Sequence, residues 1–431
     1  MEGQDILIVG AGIFGISTAY HLALRNRYSP NSVRITILDR ETAPSYPAAS
    51  TDVNKIIRAD YSSPLYMSLG FEAIAAWQSL PFFRHAGVFH QTGWIAMDDK
   101  DSDVPQRVRK NFLDTSSEGV IVEMTEEEVK DCWGGLLQRT DCSPFGSYYF
   151  NPSSGWADAG RALAVMTEEA VKLSVKYEIG EARRIVRGEN GAQAVETDTG
   201  ALFKADKILL ATGAWTSQLM SSIEDELDLP EEARVERQAS AAGVCVAHFQ
   251  LTEAEKEAYS KLPVFVYGGQ GEVIPPTDAG ILKFTFATSV KNIIQTASGH
   301  EISVPVLDQT NAPPGLQEDS INLIKPRLPQ VLDGGRKPDS YRMCWDSITP
   351  DQQPLIARHP DSRLSNLYFA VGGSFHCYKF LPTIGQYVAN VLDGVSNGPE
   401  KDQAWRWKPI HDSNGGIHEK LVPTRLFHDF A

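Results

Sequence analysis

Cysteine is scarce in this chain of 431 residues: Cys132, Cys142, Cys245, Cys344 and Cys377 are its five, odd in number and widely spaced. No CxxC pair occurs, which argues against a disulfide framework or a structural zinc site and for a reducing compartment. Positive charge is also short, with 40 basic against 55 acidic residues and a net charge of -15. Such a surface repels phosphate backbones, so no nucleic-acid partner is expected. Long apolar runs are missing too: none reaches the roughly 18–20 residues that span a bilayer, so no membrane partner is expected. The apolar start Ile6–Gly12 follows polar and acidic residues and lacks the basic leader of a secretion signal. The final residues, His428-Asp429-Phe430-Ala431, differ from a Ser-Lys-Leu peroxisomal address, and the expected location is the cytoplasm. At 42% hydrophobic and 22% charged residues, the composition is that of a globular enzyme and excludes collagen, coiled coil and a wholly disordered chain.

What is present begins with a buried-strand pattern, Asp5–Val9, followed at once by glycines and by a helical spacing of apolar residues over Ile16–Arg25. A second strand, Arg34–Leu38, ends at Asp39, completing a βαβ unit. Within it stands Gly10-Ala11-Gly12-Ile13-Phe14-Gly15. Gly10 permits the tight turn, Gly12 lets the backbone approach a pyrophosphate, and Gly15 lets helix and strand pack closely. Asp39, 24 residues after Gly15, is placed to accept a ribose hydroxyl. The amides at the helix N-terminus, including those of Ile13 and Phe14, would face the phosphates.

Two further short apolar runs, Lys207–Ala211 and Leu367–Val371, also lead into glycines, Gly213 and Gly372-Gly373. The Ala-Thr-Gly close of the first, at residues 211–213, brings the chain back to the cofactor in a layout that resembles FAD-binding oxidoreductases more than nicotinamide dehydrogenases, and so favours FAD. Val264–Tyr267 and Gly280–Phe286 alternate and carry aromatics, as strands of a second sheet do. Loops are expected at Asp98–Pro105, Pro275–Gly280 and Asn311–Gly315. The expected fold class is α/β: a Rossmann-type FAD-binding domain built from residues 1–80, 150–220 and 340–400, with a substrate domain of mixed, largely antiparallel sheet from residues 81–149 and 221–339. Residues 401–431 form a C-terminal tail.

Lys55 and Arg58 flank an Ile-Ile pair soon after Asp39; by themselves they would read as surface cations, and the small residues before them, Ser50 among them, favour a place beside the flavin. Cys344, next to Trp345, would ordinarily be a buried hydrophobe. The glycines at 372–373 suggest a helix N-terminus near the flavin, where its dipole would favour the reduced anion, and His376 reads as an ordinary turn histidine.

In order along the chain, GAGIFG with Asp39, DVNKIIRADY, Gly155-Trp156, ATGAW, Cys344-Trp345 and Lys379 before Leu-Pro-x-Ile-Gly resemble the monomeric sarcosine oxidase family, which includes fungal fructosyl-amino-acid oxidases (amadoriases) and saccharopine and pipecolate oxidases. The resemblance runs from Gly10 to about Trp407. It implies FAD bound covalently through a thioether at Cys344, with Arg40, Gly213, Gly373 and Lys379 joining the glycines and Asp39 around the cofactor. It further implies that Lys55 packs on the flavin, that Arg58 and Lys379 hold the substrate carboxylate, and that Lys283 activates dioxygen. The implied reaction takes a neutral secondary amine to an imine by hydride-equivalent transfer, with dioxygen restoring the flavin and leaving as hydrogen peroxide. No metal is required, and a monomer is expected. Amadoriases carry an acid four residues after the oxygen-activating lysine, where this chain has Ala287. The expected substrate is therefore an N-substituted or cyclic amino acid of the saccharopine, pipecolate or sarcosine type. The alternatives are a fructosyl amino acid, or a biosynthetic amine used by an oxidase or dehydrogenase.

Overall fold

The computed structural model describes residues 3–27, 33–115, 121–188, 191–409 and 425–431. Its first sheet has six strands in the order Leu355–Arg358, Leu367–Val371, Lys207–Leu210, Gln4–Val9, Val33–Asp39 and Lys176–Ile179. All neighbours run parallel except the first pair. The central strands carry unbroken apolar runs because both faces are covered: Ile6, Leu7, Ile8 and Val9 are all buried. The first helix, Ile13–Asn26, starts earlier than the apolar spacing suggests, because the glycine turn itself supplies its first residues. It packs closely on helix Ile384–Leu392, where a Cβ on Gly385 would sit 2.1 Å from the Ser17 carbonyl.

A nine-stranded sheet lies beside it. Its path runs Ser340–Ile348, Ser240–Gln250, Ile281–Lys291, Gly271–Ile274, Val264–Tyr267, Trp94–Asp99, Phe145–Asn151 and Val122–Met124. Arg425–Leu426 adds to it in parallel with Val290–Lys291. All other neighbours are antiparallel except Val264–Tyr267 with Trp94–Asp99. The expected strand over Gly280–Phe286 continues to Lys291. Two expected loops are shorter than their sequence suggests: helix Val104–Asp114 starts inside the first, and helix Pro314–Arg327 inside the third, each with proline in its opening turn. A small sheet of Lys55–Ile57, Gly155–Ala157 and Phe89–His90 accompanies these two.

Candidate functional site

The glycine turn closes the C-terminal end of the first strand. Gly10 has φ +102°, and a Cβ there would lie 2.4 Å from the Ala211 carbonyl oxygen; one on Gly15 would lie 1.9 Å from that of Gly10. Any side chain would therefore push apart two strands or lift the helix off the sheet. Asp39 accepts from the Ala11 amide at 2.6 Å, and the Ile13 amide donates to Ser50 Oγ at 3.2 Å. Burial raises the Asp39 carboxyl, and its backbone hydrogen bonds oppose the rise. Arg40 lies 4.5 Å over the Trp215 ring.

These residues line one cavity of about 1340 Å³ including its open mouth. It takes in Gly10, Gly12, Ile13, Phe14, Asp39 and Arg40 at one end of the sequence, then Ser50, Lys55, Gly213, Cys344 and Gly373. Gly15 and Lys379 stand outside its lining. The sequence did not point to Gly180–Arg183, which also line it. They follow the edge strand Lys176–Ile179, whose outer side chains are exposed (Ile179 by 59%), so no buried run marks it.

On the sheet side of this cavity three cations surround one carboxylate. Lys283, wholly buried, donates to Asp52 Oδ2 at 2.5 Å and to the Asn54 carbonyl at 2.7 Å. Lys55 Nζ lies 3.1 Å from the same carboxylate oxygen and 3.7 Å from Cys344 Sγ. Arg342 donates to the carbonyls of Thr51, Tyr46 and Ala48. Burial outweighs Asp52 and brings Lys283 down to about 8. Burial alone would raise Asp52, but Lys283, Lys55 and Arg342 hold it well below the usual carboxylate range. Sequence reasoning does not single out Asp52; its only signal is an acid three residues before Lys55.

Arg58 and Lys379 meet in a second group. Lys379 Nζ donates to Tyr61 Oη at 2.8 Å and to the His376 carbonyl. Tyr61 Oη lies 3.0 Å from His376 Nδ1, and His376 Nε2 lies 2.8 Å from the Gln352 carbonyl. A carbonyl only accepts, so Nε2 carries the proton, Nδ1 accepts from the Tyr61 hydroxyl, and that hydroxyl oxygen faces Lys379. Burial and Lys379 push His376 down to about 3, leaving it neutral. His376 is thus part of a buried chain and not an isolated turn residue. Arg58 donates to the Asp60 carbonyl and stacks on Tyr61 and Trp94, its Cζ 4.5 and 4.9 Å from their ring centres. The Asp60 carboxylate is turned to Asn151 and Ser154. Among the described residues neither Arg58 nor Lys379 has an ion-pair partner, although both are over nine-tenths buried. Burial and Arg58 lower Lys379 well below its ordinary value.

The glycines at 372–373 do not lead straight into an α-helix. Ser374 and Phe375 both take positive φ, and the Phe375 amide donates to the Asp346 carboxylate at 2.8 Å. A 3₁₀ turn, Cys377–Phe380, then precedes helix Ile384–Leu392. Two consecutive left-handed residues redirect the chain before helical geometry can begin.

The glycine cradle, the half-buried acid at the strand end and the surplus of positive charge fit the dinucleotide FAD, whose phosphates and reduced ring are anionic. Residues 5–391 match the model of the FAD dependent oxidoreductase family. L-saccharopine oxidase of Schizosaccharomyces pombe is 28% identical, over 94% of this chain and 93% of that protein. Monomeric sarcosine oxidase of Bacillus sp. (strain NS-129) is 24% identical, over 90% of this chain and 92% of its own. Among solved structures, fructosamine oxidase (Amadoriase II) from Aspergillus fumigatus superposes with a TM-score of 0.83 at 26% identity, covering 100% of this chain and 97% of that one.

Proposed function

Because the chain belongs to the FAD-dependent oxidoreductase family, we propose that its buried Arg58 and Lys379 receive the carboxylate of an N-substituted or cyclic amino acid whose C–N bond is oxidised to an imine, with hydrogen peroxide as the second product. The observation that carries this reading is the pair itself: two buried cations without a carboxylate partner among the described residues are costly unless an anion joins them. Relatives named for saccharopine and sarcosine oxidation support an amine of that kind. FAD, when bound, supplies the electron acceptor for the amine.

The chain's own groups do the rest. Arg58 and Lys379 fix the carboxylate, and the Tyr61–His376 chain fixes Lys379. The rings of Tyr61 and Trp94 pack against Arg58 and keep water from it. Lys283, in its charged form, stabilises the negative charge that dioxygen acquires. The enzyme acts as a monomer on a small amine. Its test is anaerobic bleaching of the flavin absorbance by sarcosine, pipecolate, saccharopine, fructosyl-glycine and fructosyl-lysine in turn. Bleaching by a secondary-amine amino acid is the expected result; bleaching by the fructosyl amines alone would replace this reading with deglycation, for which the amadoriase likeness is the supporting observation.

Cys344 is the residue we assign to a thioether with the flavin 8-methyl group. It is buried, lines the cavity and has the Lys55 ammonium 3.7 Å from its sulfur. Joining sulfur to the methyl carbon removes one hydrogen from each and leaves two electrons, which dioxygen accepts to give hydrogen peroxide. Acid-precipitated wild-type protein should retain its yellow colour, and Cys344→Ser should lose it to the supernatant. Colour released from the wild type would exclude the bond.

A further inference from the structure

The nine-stranded sheet presents one face toward Arg58, and strand pairing identifies the residues on it. Trp94, which stacks on Arg58, is on that face, and so is Ala96, two residues on. Ala96 pairs with Val266, Val266 with Glu272, and Glu272 with Thr285, so all four share it. Lys283, two residues before Thr285, shares it as well. Glu272 is therefore a carboxylate on a face that it shares with Trp94, Ala96, Val266, Ile274, Lys283 and Thr285.

Its charge is felt by two cations, Arg327 and Lys379, without a contact to either. Glu272 is partly buried and makes no hydrogen bond or ion pair among the described residues. Its cross-strand neighbour Thr285 has a buried hydroxyl that is also unpartnered. Arg327 lies behind the sheet, stacked on Tyr267 and Phe286, with its donors on the carbonyls of Thr285 and Gln270. On the Trp94 face Glu272 is near enough to Lys379 for its charge to favour the lysine ammonium. A carboxylate without an ion pair among the described residues, on the sheet face that carries Trp94 and near the Lys379 that takes an anion, marks the place of a cationic group on the substrate.

We propose that Glu272 is a specificity-determining residue whose carboxylate, with the Thr285 hydroxyl beside it, receives a second, positively charged amino group of the substrate while Arg58 and Lys379 hold the carboxylate. The substrate class is then a secondary amine built on a diamino acid, in preference to sarcosine or pipecolate. This rests on the reading of the Arg58–Lys379 pair as part of an amine-oxidising site. A charged donor is favoured over a sugar hydroxyl because a full negative charge next to a neutral threonine gains most from a cation.

The test uses the FAD-loaded enzyme and its Glu272→Gln variant, which keeps size and hydrogen bonding while losing charge. For saccharopine, which carries a second ammonium, kcat/KM should fall about 10- to 100-fold, the range of one charge-assisted hydrogen bond. For pipecolate, which carries none, it should change less than about 3-fold. Binding is read separately, from the perturbation of the flavin spectrum by lysine and by norleucine, which differ at the terminal ammonium. Wild type should bind lysine the more tightly, and the variant should lose that preference. Equal losses on both substrates would assign Glu272 to the tuning of Lys379 and overturn the proposal, as would no loss on either. Loss confined to a fructosyl amine would make the partner a hydroxyl and overturn it too. If no amine bleaches the wild-type flavin, the oxidase reading fails, while the lysine–norleucine comparison still decides Glu272.

Discussion

Lys283→Met should slow the oxygen-dependent return of the bleached protein to its yellow form by about 100- to 1000-fold, the effect of removing one preorganised charge from a dry site. Anaerobic bleaching by the amine should be unchanged, because Lys283 belongs to the Asp52 group and not to the Arg58–Lys379 pair. Methionine keeps the length and most of the volume of the buried stem, and Asp52 retains Lys55 as a counter-ion. Rapid mixing of the reduced variant with oxygenated buffer measures the step, and an unchanged rate would assign the oxygen chemistry elsewhere. The pH profile carries its own signature. The ammonium is the active form, so the oxygen step should hold below about 8 and decline as pH rises through that value, where Lys283 loses its proton. Asp52→Asn removes the charge that sustains this ammonium against burial and Lys55, and should move the decline to lower pH.

The second large effect pairs a loss of function with a gain in stability. Lys379→Met should reduce kcat/KM for a carboxylate-bearing amine by about 100- to 1000-fold, as loss of one partner in a buried charge contact does. Its amide counterpart, which has no carboxylate to lose, should be affected far less. At the same time the substrate-free variant should melt at or above the temperature of the wild type. A lysine whose pKa is lowered by folding costs stability at every pH below its ordinary value, and the cost grows as pH falls. Burial and Arg58 are the causes here, and methionine is subject to neither. A thermal melt with and without substrate, beside kinetics on acid and amide, checks both halves. Equal losses on acid and amide would remove the carboxylate from the account.

The parts of the site that can be read in the sequence are those where local conformation and chemistry coincide. Gly10 and Gly15 are dictated by contacts of 2.4 and 1.9 Å that any Cβ would make, and Asp39 follows at the end of a buried strand. The strands of the first sheet are legible for the same reason: their apolar runs are covered on both faces. Asp52, Tyr61 and Glu272 do not stand out, since nothing in a linear sequence says that Asp52 meets Lys283, 231 residues away, or that Glu272 shares a sheet face with Trp94. His376 reads as a turn residue because its partner Tyr61 lies 315 residues earlier. The helix expected after Gly373 fails locally instead: Ser374 and Phe375 adopt a backbone geometry that their residue types do not advertise.

The order in which the strands sit has a consequence for how the protein is made. Lys207–Leu210 lies directly between Gln4–Val9 and Leu367–Val371, and the cavity needs walls from Gly10 and from Gly373 alike. A ribosome delivers the first of these long before the last. The edge of the first strand stays open until Lys207–Leu210 emerges, and the pocket can close only when its late-emerging wall arrives. Cofactor capture is consequently a late event in biogenesis, and a truncated chain ending before Leu367 would hold the nucleotide fingerprint without the receptacle it serves.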